Sequence, residues 1–197
     1  MLGTRIGALG AIAVCVLLGG CIFSPREDDG PPEGGSSNWE TPITTTVVLQ
    51  NLKWALTDEN INNYTECFTE DYRFHVDPQD SLDAGQEGEE KYANWTLADE
   101  EHYASRMFTD AAGISLTTVT VIQPDETQVE TYRQEDYTLT VWWESGPHIN
   151  EEISYKGRAT LWMRRSDSGR WAIFRWVDRR TEQGYSTWGT VRGDYRT

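Results

Sequence analysis

The chain has 197 residues, 38% of them hydrophobic and 12% aromatic, which suits one folded domain with a core behind a targeting segment. Its formal net charge of -15 repels nucleic-acid backbones, so the composition argues against nucleic-acid binding. Three scattered histidines and three cysteines do not offer the spacing of a metal site, and we expect neither a metal nor another cofactor.

Residues 1–20 have the order of charge and hydrophobicity of a secretory signal peptide. Arg5 is their only charged residue, and an apolar stretch too short to span a membrane as a helix follows it. The run Leu18-Gly19-Gly20-Cys21 resembles the bacterial lipobox, in which the cysteine becomes the first mature residue and carries the lipid. The alternative is an ordinary signal peptide or an uncleaved anchor.

Residues 21–40 are rich in proline, glycine, serine and acidic residues, and they predict a flexible tether. Such a tether after a lipidated Cys21 would lift the domain off the membrane, and several acyl chains would anchor it stably. Ile22 is not the aspartate that favours inner-membrane retention in enteric bacteria. The lipobox resemblance therefore implies a cell-envelope protein, and we expect it at the periplasmic face of the outer membrane.

The folded domain is expected at 41–197, with its helices in the first half. Hydrophobic residues recur at helical spacing, and Asp58 stands where the N-cap of a second helix is expected. A strand is predicted where polar and apolar residues alternate, and an acidic stretch with glycines predicts a loop. The expected order is a helix at 44–56, a second short helix, a short strand at 72–76, a loop at 79–94 and a third helix at 97–108.

Four long strands are predicted next, at 114–122, 128–143, 151–165 and 171–178, and the last two form a hairpin around an Asp-Ser-Gly turn. The last strand carries Trp171, Ile173 and Val177 on one face. Phe174 and Trp176 lie on the other, so both faces must be covered. The C-terminal tail or a second subunit would supply the second cover. Residues 185–191 are expected to form an edge strand or a docked tail.

This order of elements resembles the nuclear-transport-factor-2-like superfamily, over about residues 41–178. The motifs that carry the resemblance are NLKWAL, INNYTECF, EDYRFHVDP and GRATLWMRRSDSGRWAIFRWVD. The resemblance implies an α+β domain, a cone in which a curved antiparallel sheet wraps around N-terminal helices and leaves a pocket. Its members include SnoaL-like cyclases, ketosteroid isomerase and scytalone dehydratase. Dimers through the sheet are common among them, which implies a homodimer here.

The candidate catalytic residues are His75, Asp77 and Tyr103. A histidine near a carboxylate can act as a general base or acid, and a tyrosine hydroxyl in an apolar pocket can stabilise an oxyanion. The alternation around His75 argues the other way, because Tyr72, Phe74 and Val76 form the apolar face of that strand.

Tyr72, His102 and Arg175 are further candidates for the lining of the pocket. The alternative for His102 is a partly exposed position on its helix beside Glu101. Arg175 would either bind an anion at the mouth of the cavity or form a structural ion pair with Asp136 or Asp178.

Two functions follow from these patterns. The favoured one is a membrane-anchored, non-enzymatic binding or assembly module whose partner is an envelope protein or a small apolar ligand. The alternative is a small-molecule lyase or isomerase with a general acid or base in its pocket. The inside of the cone discriminates between them, because an enzyme needs a ligand-sized cavity with converging polar groups, whereas a module can fill it with Trp and Phe.

We predict that Cys21→Ala leaves the domain folded and removes the lipid, because the thiol is the site of acylation. Mass spectrometry of the protein purified from membranes checks this through the mass of its N-terminal peptide. A wild-type protein that fractionates without bound acyl chains would contradict the lipoprotein interpretation.

Overall fold

The structure is a computed structural model that describes residues 38–85 and 88–196, and in these ranges it has six α-helices and five strands. The predicted signal peptide, Cys21 and most of the tether lie outside the described residues. The elements are α1 (Thr45–Thr57), α2 (Ile61–Thr65), β1 (Phe68–His75), α3 (Pro78–Asp83), α4 (Gly88–Tyr92), α5 (Leu97–Asp110), β2 (Ala111–Ile122), β3 (Glu130–Trp143), β4 (Glu152–Arg165), β5 (Trp171–Arg179) and α6 (Trp188–Asp194). None of these helices is both long and apolar enough to cross a membrane.

The five strands form one sheet in the order β1-β5-β4-β3-β2. β2 to β5 pair antiparallel, and the edge strand β1 pairs parallel to β5. Buried and partly exposed residues alternate along β3 and β4, so one sheet face carries the core and packs against the helices. The predicted α+β class, with a curved, mostly antiparallel sheet around helices, is confirmed.

Local capping explains where the two longer helices begin. The hydroxyl of Thr44 accepts a hydrogen bond from the backbone N–H of Val47 at the start of α1. Thr96 and Asp99 form a capping box at the start of α5. The N-cap predicted for the second helix was wrong. Asn60 caps α2, whereas Asp58 lies at the C-terminal end of α1.

The loop predicted at 79–94 was also wrong, because α3 and α4 occupy part of it. Asp77 caps α3 by accepting a hydrogen bond from the N–H of Gln79, and Pro78 stands in the first turn. Proline suits that turn because its missing N–H has no partner there in any helix. The Asp-Pro pair therefore follows the end of β1 and starts α3.

A β-bulge in β5 overturns the predicted assignment of its two faces. The pairing with β4 shifts between Ile173 and Arg175, since Met163 pairs with Ile173 and Trp162 with Arg175. The extra residue reverses the alternation, so Trp176 joins Trp171 and Ile173 in the core, and Val177 is only partly buried.

The C-terminal segment settles the alternative between an edge strand and a docked tail. It forms the helix α6, and Trp188, Val191 and Tyr195 belong to the main hydrophobic core. Its N-cap is Thr187, which accepts a hydrogen bond from the N–H of Gly189. This helix fills the space in which the resemblance implied a pocket.

Candidate functional site

The interior of the cone is the natural candidate site, and side chains fill it. Trp188, Val191 and Arg192 of α6 are fully buried against the sheet and α5. The space left between Trp188, Trp176 and Tyr137 has a volume of about 10 Å³. Ligand pockets are on the order of 300–1,000 Å³, so this interior has no room for a small-molecule substrate.

A charged pair lies at the centre of the filled cone. The carboxylate of Glu100 accepts hydrogen bonds from Nε of Arg192 at 3.0 Å and from Nη2 at 2.7 Å, and both side chains are 0% exposed. Tyr64 donates its hydroxyl proton to the same carboxylate at 2.6 Å, and the indole N–H of Trp95 donates at 2.8 Å. Burial and the nearby Glu100 raise the pKa of Tyr64, which keeps its hydroxyl a donor.

Aromatic rings surround the guanidinium of Arg192. Its central carbon lies 4.3 Å from the ring centroids of both Phe74 and Trp176, 4.9 Å from that of Trp188 and 5.4 Å from that of Tyr103. Each ring presents its electron-rich face to the cation. This cage resembles a binding site for an organic cation, but its occupant is a side chain of the protein itself.

A tyrosine and an aspartate hold the start of α6. The hydroxyl of Tyr137 donates to Asp178 at 2.8 Å and accepts the backbone N–H of Trp188 at 2.7 Å. The N–H of Gly189 donates to the other oxygen of Asp178 at 2.9 Å. Burial raises the pKa of Asp178 to about 6, against the opposing effects of Arg192 and these hydrogen bonds. A buried Tyr–Asp pair can serve acid–base catalysis, but here it binds backbone amides of α6.

A second polar cluster connects α3 with the segment before α6. The carboxylate of Asp80 accepts hydrogen bonds from Arg180 and from the hydroxyl of Thr187. The second oxygen of Asp77 accepts the backbone N–H of Arg180 at 3.0 Å. Asp77 therefore has both oxygens engaged, one in the cap of α3 and one in this segment.

The structure divides the predicted site residues into two groups. Tyr72, Tyr103 and Asp77 are buried, and the hydroxyl of Tyr103 accepts a hydrogen bond from the indole of Trp188 at 2.5 Å. The side chains of His75, His102 and Arg175 are exposed, so they do not converge with the buried ones. Arg175 points away from the core because of the bulge in β5, and neither Asp136 nor Asp178 pairs with it.

Two buried ion pairs of the interior were not predicted from the sequence. Arg133 and Glu135 of β3 form a buried ion pair at 2.7 Å, in addition to the pair of Glu100 and Arg192. Arg133 and Glu135 share the parity of Tyr137 and of the apolar residues after it, and this alternation could have predicted that both charged side chains face the core. Glu100 lies near the start of α5, where acidic residues are common whether or not they are buried, and Arg192 directly follows the stretch 185–191, for which the sequence predicted no helix.

Metal binding finds no support within the described ranges, because no group of three or more His, Cys, Asp or Glu side chains lies close enough together. Cys67 is buried and unpaired and packs as a small hydrophobic side chain, and burial raises the pKa of its thiol.

We predict that Arg192→Met and Glu100→Gln each lower the free energy of unfolding by about 3–5 kcal/mol, because each leaves a buried partner without its counterpart. Urea unfolding of the two variants measures the loss. The matched control is Asp136→Asn, which breaks the half-exposed pair with Arg158 and should cost about 0–1 kcal/mol. Equal, small effects in all three variants would contradict the central role of the buried pair.

Asp178 predicts a pH dependence. In the folded state the carboxyl group of Asp178 stays protonated between pH 4 and about 6, whereas in the unfolded chain it has lost its proton there. The contribution of this protonated carboxyl group to the free energy of unfolding is therefore fully present below pH 4 and is lost as the pH rises through about 6. Relative to Asp178→Asn, the wild type should lose up to about 3 kcal/mol of unfolding free energy between pH 4 and 7. Urea unfolding of both proteins across this pH range measures the loss. A difference in unfolding free energy between them that stays constant with pH would contradict the prediction.

Comparison with known proteins finds similarity in structure and not in sequence. No family model matches the chain, and no curated protein does. A candidate scytalone dehydratase from Novosphingobium aromaticivorans is 14% identical with a TM-score of 0.53, covering 68% of this chain and 80% of its own. A ketosteroid isomerase-like protein from Erwinia carotovora is 9% identical with a TM-score of 0.50, covering 70% and 93%.

A nuclear transport factor 2-like superfamily protein from Salmonella enterica is 9% identical with a TM-score of 0.50 and covers 70% of this chain and 89% of its own. At such identities the similarity is one of fold and carries no activity. With its helices packed inside a curved sheet of five strands, the chain has the nuclear-transport-factor-2-like fold.

Proposed function

We propose that this protein is a lipoprotein of the bacterial cell envelope, anchored through Cys21, whose domain is a non-enzymatic binding or assembly module. The lipobox-like run before Cys21 and the tether after it support the anchor and a place at the periplasmic face of the outer membrane. The observation that carries the second half of the proposal is the filled cone, because α6 occupies the place of a substrate.

The alternative, a small-molecule lyase or isomerase, has support at the level of the fold and from the buried pair of Tyr137 and Asp178. A substrate could reach this pair only after α6 had left the cone. The departure of α6 would break the ion pair between Glu100 and Arg192 and would expose the aromatic rings around the guanidinium to water. The costs of breaking a buried ion pair and of exposing aromatic surface both oppose it, so we favour the module.

With the interior filled, recognition falls to the outer surface. The sheet face opposite the core exposes large apolar side chains on β2 and β3, namely Val119, Tyr132 and Trp142. The ring of Tyr132 packs on that of Trp162 of β4 at 4.8 Å between centroids. Such surface suits another protein, and pairing of two copies through the sheet is the assembly we propose first. A chain that sediments only as a monomer at high concentration would remove this homodimer.

The filled cone predicts that the wild type binds no ring-shaped ligand inside and that Trp188→Ala does. Removing a buried indole leaves a cavity lined by apolar groups, which a small aromatic molecule can enter. Calorimetric titration with indole should show binding to Trp188→Ala only. The control is Trp142→Ala, which removes an exposed indole and opens no cavity.

Exchange of deuterium next to the carbonyl of a ketosteroid tests the enzymatic alternative directly in the wild type, whether or not Trp188→Ala folds. We expect no exchange above the buffer rate. Exchange that is catalysed by the wild type and lost in Tyr137→Phe would refute the non-enzymatic module.

A further inference from the structure

Four exposed basic side chains lie together on β1 and β5, and we call them the basic strip: Arg73, His75, Arg175 and Arg179. Arg73 and Arg175 are direct partners in the parallel pairing of the two strands. His75 stands two residues beyond Arg73 on the same side of β1. Arg179 reaches β1 as well, since its Nη1 donates to the backbone oxygen of Val76 at 3.4 Å.

The three arginines of the basic strip have no carboxylate partner among the described residues. None of the ion pairs in those ranges includes them. The nearby Asp71 bonds to Arg164 at 2.9 Å, and Asp178 points into the core towards Tyr137. This arrangement is unusual in a chain with 32 acidic and 17 basic residues. Like charges directly opposite each other in a sheet repel, unless an anion lies between them.

The ring of His75 reports the same local field. Partial burial lowers its pKa, and the charges of Arg175 and Arg179 lower it further. Among the described residues that line the adjoining cleft, Glu89 alone carries a carboxylate. The three arginines therefore concentrate positive charge at this edge of the sheet, although the net charge of the whole chain is strongly negative.

A cleft of about 400 Å³ runs along the free edge of β1, beside the basic strip. Arg73 and His75 line it on the strand side, and its other lining residues include Ser81, Tyr92 and Asn94. The volume lies within the range of small-molecule sites, unlike the space inside the cone. The cleft can take the uncharged part of a molecule whose anionic group meets the arginines.

We propose that the basic strip and this cleft bind the phosphate group of an organic phosphate ester. Arginine guanidinium groups match the oxygens of phosphate with paired hydrogen bonds, and several of them together favour a phosphate over a single carboxylate. The site lies outside the cone and is independent of the pocket that enzymes of this fold would use. Polyanions remain disfavoured, because the acidic remainder of the surface would repel them.

The same chemistry has two sources, a soluble phosphate ester and the headgroup of an anionic phospholipid. The inference supplies a ligand class for the binding module and so rests on the proposed function. If the domain is tethered through Cys21, the membrane surface is always within its reach. Lipidation and cone filling are measured separately, so a failure of the phosphate site is distinguishable from a failure of the module.

The test measures the pKa of each of the three histidines in the full chain, which is kept in a neutral detergent. Mass spectrometry reads the pKa from the pH dependence of the slow exchange of a carbon-bound proton of the imidazole ring. Glycerol 3-phosphate should raise the pKa of His75, because a bound anion favours the charged ring. His102 and His148 are internal controls on other elements and should not respond. Sodium chloride at equal ionic strength controls for screening.

Two variants with the same change of charge separate a site from a general field. Arg175→Gln should raise the half-saturating concentration of glycerol 3-phosphate about fivefold, because it removes one of the binding charges. Arg170→Gln, in the turn between β4 and β5, should leave that concentration unchanged. A response with bilayers of phosphatidylglycerol, and not of phosphatidylcholine, would identify the lipid headgroup as the source.

A response to glycerol 3-phosphate alone would identify a soluble ester. If His75 responds to neither probe, or if Arg170→Gln weakens binding as much as Arg175→Gln, the proposal is wrong.

Discussion

The sealed contact between Arg192 and Glu100 is the constraint on which the rest of the domain depends. Two charges without water are costly, and they persist only where geometry and extra hydrogen bonds compensate for the lost hydration. Here the carboxylate is satisfied by Arg192, Tyr64 and Trp95, and rings surround the guanidinium. Such a contact contributes little net stability, but it accepts only one placement of α6. We infer that its main role is to fix that placement.

Fixing α6 changes what the fold offers to the outside. A curved sheet around helices normally encloses a space, and in this chain a helix from the same polypeptide takes it. The buried polar groups that would suit catalysis, Tyr137 and Asp178, bind backbone amides of that helix. The side chains that are free to bind a partner or a ligand therefore lie on the sheet face opposite the core and along the free edge of β1. The acidic composition and the local basic strip are then separate features of one surface.

The sequence was informative wherever the signal was local. The spacing of hydrophobic residues predicted α5, and an Asp-Ser-Gly turn between aromatic strands predicted the hairpin of β4 and β5. The strand alternation also predicted that His75 would point outward. These features depend on neighbours a few residues apart, which short-range chemistry determines.

The failures arose where structure depends on distant residues. The bulge in β5 adds one residue and reverses the faces of Trp176 and Val177, and no local pattern marks it. Arg192 carries no mark of burial in the sequence, because its carboxylate partner stands 92 positions earlier. The helices in the expected loop were missed because an acidic, glycine-containing stretch resembles a loop until Asp77 is recognised as a cap.

That separation of 92 positions also has a kinetic meaning. Contacts between residues far apart in sequence form late, because the loop that they close is long and its entropy is lost before the contact compensates. The strands β2 to β5 are neighbours in sequence and can pair first, whereas β1 and α6 both need partners far away in the chain. Until α6 docks, we expect the carboxylate of Glu100 to stay in contact with water. We infer that the docking of α6 comes late in folding and displaces water from the interior of the cone.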